Sequence, residues 1–356
     1  MSATMRKIYF LYPRMNLNVG GHLAQVKLLE AAKQVCPAEA VTYETQEDGT
    51  LFLDSVLEQD NGKDSIYIIH WGPHVADLVR RLSDRNVVYV SYTTGWGFTL
   101  PTEVPIIAGS KHTQAYWGRY SPNSLIHHLP CVISDNFINL HRERDIDILV
   151  QKRKSSHYLL EELVPRLQGQ ARVTVIDSWV DDLSEMFNRS KVYLYESTEH
   201  WGQMGVSEGF GLPPLEAMAC GCTVFSSIND ALSDYLDPGF NCQKLRVYSP
   251  EYDVERILSA VKDWQDVSQW NYPAQDYRRN RISRRLEVIL SDINDFFDRR
   301  RFYSSSIESP RYLSNEAKIR SLEARISQME NSRGWKLLER FRAIYARLLR
   351  ILKPSN

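Results

Sequence analysis

The sequence predicts an α/β protein with two Rossmann-like, doubly wound parallel-sheet domains and a helical tail. Three observations carry that expectation. Short apolar runs rich in strand formers alternate with helix-like segments from the start of the chain. The alternation lapses over residues 130–145, which mix Pro, Asn and both charges, and then restarts. In the second half a strand, a glycine loop, a helix and another strand follow one another directly. A chain of 356 residues suits about two domains of ordinary size.

In the first half, residues 7–12 read as a strand and 16–21 as a loop ending in Gly20-Gly21. Residues 22–35 follow as an apolar-periodic helix. Further strands are read over 40–45, 65–70, 87–91, 105–108 and 125–129, with helices over 75–82 and 111–116. Strand-helix alternation with short connections implies a parallel sheet covered on both faces. These elements define a first domain over 1–135, with the linker inside 130–145.

The second half restarts with a strand over 146–150, a helix over 158–167 and strands over 172–176 and 191–195. Helices over 254–264 and 282–297 close a second domain spanning 136–300. The tail, 301–356, holds Ile319, Leu322, Ile326 and Met329 at heptad-like spacing, which suits a short coiled coil or a docked helix. Gly334 breaks that run, and a second helix begins at Trp335.

The informative stretch follows the strand over 191–195. Gly209 and Gly211 permit a tight turn and a close approach of bare backbone to a ligand. Pro213 and Pro214 suit the first turn of a helix, and Gly221 stops it. A helix N-terminus offers free N–H groups and partial positive charge, a natural seat for phosphate. Glu208 and Glu216 flank the turn, where a carboxylate can accept hydrogen bonds from sugar hydroxyls. The plainer reading is an ordinary strand-to-helix loop with two incidental glutamates.

As a string, Glu208-Gly209-Phe210-Gly211-Leu212-Pro213-Pro214-Leu215-Glu216-Ala217-Met218-Ala219-Cys220-Gly221 resembles the E-x7-E signature of retaining nucleotide-sugar glycosyltransferases of the GT-B fold, family 4 in particular. The resemblance is sharp over 191–227 and extends to the layout of about 5–300. It implies a GT-B protein whose donor substrate is a nucleotide-diphosphate sugar, with no further cofactor. The amides of Gly209, Phe210, Gly211 and Leu212 would hold the donor's phosphate and sugar, and Glu216 its ribose. Glu208 would orient and electrostatically support the sugar as it becomes oxocarbenium-like. Gly20 and Gly21 would let the first domain's backbone approach the phosphates; the plain alternative is a tight turn.

Lys152-Arg153-Lys154, directly after the strand over 146–150, read either as a solvated basic loop or as a clamp on the leaving diphosphate. The family's usual arginine and lysine stand about five positions apart, whereas these residues are contiguous, so the cluster rather than each role is carried over. His70 and His74 flank residues 71–73 and read as structural or as sugar contacts. Where the family often has a sugar-contacting histidine, Ser91-Tyr92-Thr93-Thr94 stand instead. No Asp-x-Asp metal motif stands among the candidate site residues, which fits a metal-independent site. A catalytically silent nucleotide- or glycan-binding scaffold and a nucleotide-sugar epimerase are the alternatives.

A net charge of −1 supplies no field toward nucleic acid. Five scattered cysteines point to buried thiols in a reducing compartment rather than a disulfide framework. The apolar run after Lys7 is too short for a signal peptide's core, so the sequon at Asn188 is expected to be idle and the protein cytoplasmic. The helix over 335–352 segregates Leu337, Leu338, Phe341, Ile344 and Leu348 from Lys336, Arg340, Arg347 and Arg350. Such a helix reads as a peripheral-membrane or self-association element, or as one packed on its own domain. The expected partners are a nucleotide sugar and a glycan or lipid-linked acceptor.

If the tail meets membrane, each basic side chain near an anionic surface contributes about 1 kcal/mol. Removal of residues 333–356 should then abolish sedimentation with anionic liposomes. High salt should weaken it only in part, because an apolar face is not screened. Full-length protein that stays in the supernatant would make the helix a packing or oligomer element.

Overall fold

The structure is a computed structural model and describes residues 5–15, 20–70, 72–245, 249–265 and 273–300. The expectations for the loop over 16–19 and the tail over 301–356 lie outside the described residues.

The first layer runs β1 (Lys7–Tyr12), α1 (Gly20–Ala32), β2 (Ala38–Thr42), β3 (Leu51–Phe52), α2 (Leu53–Gln59) and β4 (Ser65–His70). It continues with α3 (Val75–Arg81), β5 (Val87–Ser91), β6 (Ile106–Ala108), α4 (Lys111–Tyr120) and β7 (Ile126–His128). The sheet order is β3-β2-β1-β4-β5-β6-β7, with parallel pairing throughout. Strands covered on both faces cannot alternate polar with apolar, so they become apolar runs. All six residues of β4 are buried, as are all five of β5.

The second layer begins at β8 (Ile146–Gln151). A π-helical turn, Tyr158–Leu163, runs into α5 (Val164–Gln168), which has a proline in its first turn. Pro165 lacks an N–H, and a widened turn before it relieves the interrupted hydrogen-bond ladder. Then come β9 (Val173–Ile176), α6 (Leu183–Asn188), β10 (Ser190–Tyr195), α7 (Thr198–Met204), α8 (Leu212–Ala219) and β11 (Thr223–Ser226). The layer ends with β12 (Gln243–Lys244) and α9 (Pro250–Lys262). Its order is β12-β11-β10-β8-β9, again parallel. Ile148, Val150 and Leu194 pack under α5 and α9 on one face, while Tyr193, Tyr195 and Val224 pack with α8 on the other.

The last described helix, α10 (Arg279–Arg299), does not stay with the second layer. Its buried Ile282, Leu286, Ile289, Leu290, Ile293 and Phe297 pack with Ile8, Phe10, Leu28 and Leu29 of the first. The chain therefore passes between layers twice, side by side. Ile133 donates its amide to the Tyr277 carbonyl at 2.9 Å. The guanidinium of Arg278, 9% exposed, donates to the Ser134 and Phe137 carbonyls at 2.6 Å each. All five cysteines are free and buried.

Both sheets reverse winding between two neighbouring strands, β1 and β4 in the first, β8 and β10 in the second. Ligands of such sheets sit beyond the carboxyl ends of the strands at these points. At the first lie the start of α1, where Gly20 and Gly21 are helical and not the end of the expected loop, and the end of β4 at His70; at the second lie residues 152–154 and 205–211.

Truncating Leu290 to Ala should destabilise the protein by about 2–5 kcal/mol, because it opens a cavity in the first layer's core. Denaturant unfolding measures this, and an unchanged midpoint would remove α10 from that core.

Candidate functional site

β10 ends at Tyr195, and the chain then makes α7, a loop and α8 before returning as β11. Glu208 lies in that loop with 2% exposure. Its Oε2 accepts hydrogen bonds from the Tyr195 hydroxyl at 2.5 Å and from the Trp201 indole N–H at 2.6 Å. Its Oε1 faces Lys154 Nζ at 3.4 Å, and its backbone amide donates to Asp230 Oδ2 at 2.8 Å. Burial, and then the charge of Glu208, push the Tyr195 hydroxyl well above its ordinary range, so it stays a donor. The Lys154 ammonium also sits 4.4 Å from the centre of the Trp201 ring. A buried carboxylate is costly unless paired and hydrogen-bonded, and these contacts answer that cost.

Of the basic triplet, the structure brings only Lys154 to Glu208. Lys154 takes φ +69°, a left-handed turn that reverses the chain after β8. The Lys152 and Arg153 side chains are exposed; Lys152's amide donates to the Ile176 carbonyl at 2.8 Å. Arg153 lies close enough to His200 to help lower its pKa, after burial and Lys154.

The glycine loop meets the first layer backbone to backbone. A Cβ on Gly209 would stand 2.5 Å from the Tyr92 carbonyl oxygen. A Cβ on Gly95, where φ is +101°, would stand 2.5 Å from the Gly205 oxygen. Between them the Thr94 amide donates to Ser207 Oγ at 3.0 Å, and the Ser207 amide to the Thr94 carbonyl at 3.2 Å. Phe210 is buried against Tyr235 and Tyr277. Gly211, at φ +75°, caps α8, and the Tyr235 hydroxyl donates to its carbonyl. Leu212 is the first residue of α8.

Glu216, one turn further on, is 5% exposed, and Lys27 of α1 lies 3.7 Å away. Burial raises the Glu216 pKa, and Lys27 draws it back down. α1 opens at Gly20, and a Cβ on Gly21 would meet nothing within 4 Å, so the backbone there faces open space.

The two histidines go to different surroundings. His70 is buried, its ring 5.2 Å from that of Tyr12 and 5.5 Å from that of His22, and burial lowers its pKa to about 3. It is therefore neutral. His74 is half-exposed beside Glu44, at 3.3 Å. Among the described residues, no group of three or more His, Cys, Asp or Glu could hold a metal ion. No described helix is long and apolar enough to cross a membrane.

Sequence reasoning missed Tyr195, Trp201, Asp230 and Lys27. Tyr195 was read only as the end of a strand. Trp201 stands in a polar stretch without period, and a lone tryptophan there was the available signal. Lys27 shares a helix face with Gly20 and Ala24, at i+7 and i+3, and Ala24 packs into the second layer's core.

Residues 129–277 match the family model described as "Glycosyl transferases group 1", which gives that stretch an enzyme class. No curated protein matches the chain. Among solved structures, Anabaena Alr3699/HepE in complex with UDP and glucose is similar, at 14% identity and a TM-score of 0.58. That alignment covers 81% of this chain and 100% of the other. A glycosyltransferase from Rickettsia africae aligns at 10% identity and a TM-score of 0.59, covering 82% and 99%. Sucrose-phosphate synthase from Thermosynechococcus elongatus aligns at 15% and 0.53, covering 84% and 100%. The fold is thus GT-B.

Alanine at Gly209 should destabilise the protein by about 1–3 kcal/mol, since its methyl meets backbone that cannot rotate away. Gly21→Ala, in open space on a helix, should be neutral or stabilising by up to about 1 kcal/mol. Equal unfolding midpoints for the two variants would contradict the close contact at residue 92.

Proposed function

We propose that the protein is a glycosyltransferase that moves a sugar from a nucleotide-diphosphate sugar to a glycan or lipid-linked acceptor, with retention and without metal. The observation that carries this reading is Glu208, buried at the mouth of the α8 glycine loop and facing the Lys154 ammonium, inside the stretch that matches the family model. Transfer leaves negative charge on the departing phosphate, and a fixed cation beside it lowers the barrier without reorganising. Lys154 is already held by Glu208 and Trp201. Lys152 and Arg153 add exposed charge at the same turn.

In this reading the amides of Gly209, Phe210, Gly211 and Leu212 and the positive end of α8 receive the diphosphate. Gly20 and Gly21 approach it from the first domain. Glu208 supports the developing oxocarbenium charge, and the diphosphate itself helps deprotonate the acceptor. Glu216, desolvated and next to Lys27, accepts from ribose hydroxyls. The Anabaena neighbour holds UDP and glucose, so uridine diphosphate sugars are the first donors to try. A cytoplasmic protein resting on the membrane through its tail belongs to the same proposal.

A binding scaffold without turnover is favoured by one observation. Both oxygens of Glu208 already have protein partners, which leaves the carboxylate less free to engage a sugar. A thermal-shift screen of nucleotide sugars followed by nucleotide-release assays separates the readings. A ligand at a hundred times its Kd adds about 2.7 kcal/mol of stability. Release that needs an acceptor supports transfer, binding without release supports the scaffold, and an isomerised donor supports an epimerase.

The two glutamates should respond differently to substitution. Glu216→Ala should weaken donor binding by about 1.5–3 kcal/mol, the worth of a hydrogen bond to a charged group, as read by calorimetry. Glu208→Gln should lower turnover more than affinity. The opposite pattern would exchange their roles.

A further inference from the structure

A cavity of about 430 Å³ opens at the junction of the layers; no residue of 205–211 lines it, and its Tyr277 packs on Phe210 of the Glu208 loop. Lys111, the first residue of α4, lines it from the first layer, and Arg281, Arg284 and Arg285 line it from the start of α10. Neither helix has an acidic residue in its first turn. Helix N-termini favour anions and disfavour cations, so Lys111 and Arg281, each in a first turn, work against their helices. Arg281 also stands three and four positions from Arg284 and Arg285, spacings at which like charges repel across one helix face.

Local carboxylates answer only part of this charge: Asp234 and Asp276 face Lys111 and three arginines. Asp234, with a side chain 5% exposed, accepts the Lys111 backbone amide at 2.7 Å and lies 3.8 Å from His128 Nε2. Asp276 lines the cavity and is exposed. Arg285 donates to the His128 carbonyl at 2.9 Å. Among the described residues, Arg281 and Arg284 form no ion pair within 4.0 Å. Burial lowers the His128 pKa and Arg285 lowers it further; Asp234 raises it in part, and Lys111 again lowers it.

We propose that this cavity binds a polyvalent oxyanion of the phosphate or pyrophosphate class, held between Lys111 of the first layer and Arg281 and Arg284 of α10. Such a ligand would relieve the repulsion within α10 and meet the positive ends of two helices at once. Arginine forks suit its tetrahedral oxygens. The inference does not depend on the glycosyl-transfer reading. The oxyanion could be a free phosphorylated metabolite or the headgroup of a phosphate-bearing lipid, and the two share this chemistry.

The test is calorimetry of the full chain with inorganic pyrophosphate, together with flotation on vesicles of phosphatidic acid in phosphatidylcholine. The Arg281→Glu/Arg284→Glu double variant should lose at least tenfold in affinity. Arg281→Lys/Arg284→Lys should keep most of it. Lys154→Ala should leave the Arg-dependent binding in place, which separates this cavity from the Glu208 loop. Arg-dependent binding of pyrophosphate points to a free ligand, and Arg-dependent flotation alone points to a lipid headgroup; either supports the site. Failure of both probes to distinguish wild type from the glutamate variant would overturn it. So would an equal loss in Arg299→Glu at the far end of the helix, since that reports only the helix's general charge.

Discussion

Two places without a side chain hold the halves of this molecule together at the site. Gly95 lies on the Gly205 carbonyl and Gly209 on the Tyr92 carbonyl, each closer than any Cβ permits. Backbone contact of this kind has almost no tolerance, because neither side can change rotamer. Ser207 and Thr94 then lock the register with two hydrogen bonds. The position of Glu208 follows directly, since it is the residue between Ser207 and Gly209. Lys154 and Trp201 are aimed at a carboxylate whose place is set by this contact.

The element that completes the carboxylate's surroundings is itself weakly anchored. α7 has no buried residue, so it gains little from apolar burial. Polar contacts tie it down: Trp201 to Glu208, and Glu199 Oε2 accepting the His157 amide at 2.7 Å. Segments with few buried contacts open locally at small cost. Opening of α7 would withdraw the indole donor and leave the Tyr195 hydroxyl as the one remaining partner of Oε2 named above.

Much of this architecture was legible in the sequence because parallel sheets write themselves plainly. β1, β4, β5 and β10 are apolar runs buried on both faces, and they fall where the residue pattern puts them. The glycine loop was legible because only glycine satisfies the turn at residue 211 and the contact at 209. The two-residue strands β3 and β12 were not, since two residues carry no period. Nor was α7, whose polar surface gives no amphipathic signal. Lys27 escaped because a single helical lysine reads as solvated until its face is known to meet another domain. The basic triplet was legible as a cluster, but a left-handed backbone at Lys154 decides which of the three faces Glu208, and sequence does not display that. α10 was found as a helix by its spacing and set in the second domain by its place in the chain. Its apolar face packs on the first layer instead.

That return of α10 has a consequence for how the protein is made. The second layer is, topologically, a long excursion between β7 and α10. During synthesis the first sheet emerges early, yet the surface of β1 and α1 that Leu286, Leu290 and Ile293 cover stays open until nearly three hundred residues have left the ribosome. At about 5–20 residues per second, the nascent first domain carries an uncovered apolar face for many seconds. Such a face is exposed to aggregation until the closing helix docks. The Arg278 crossing, which fixes the returning chain against the departing one, is where that final step is registered.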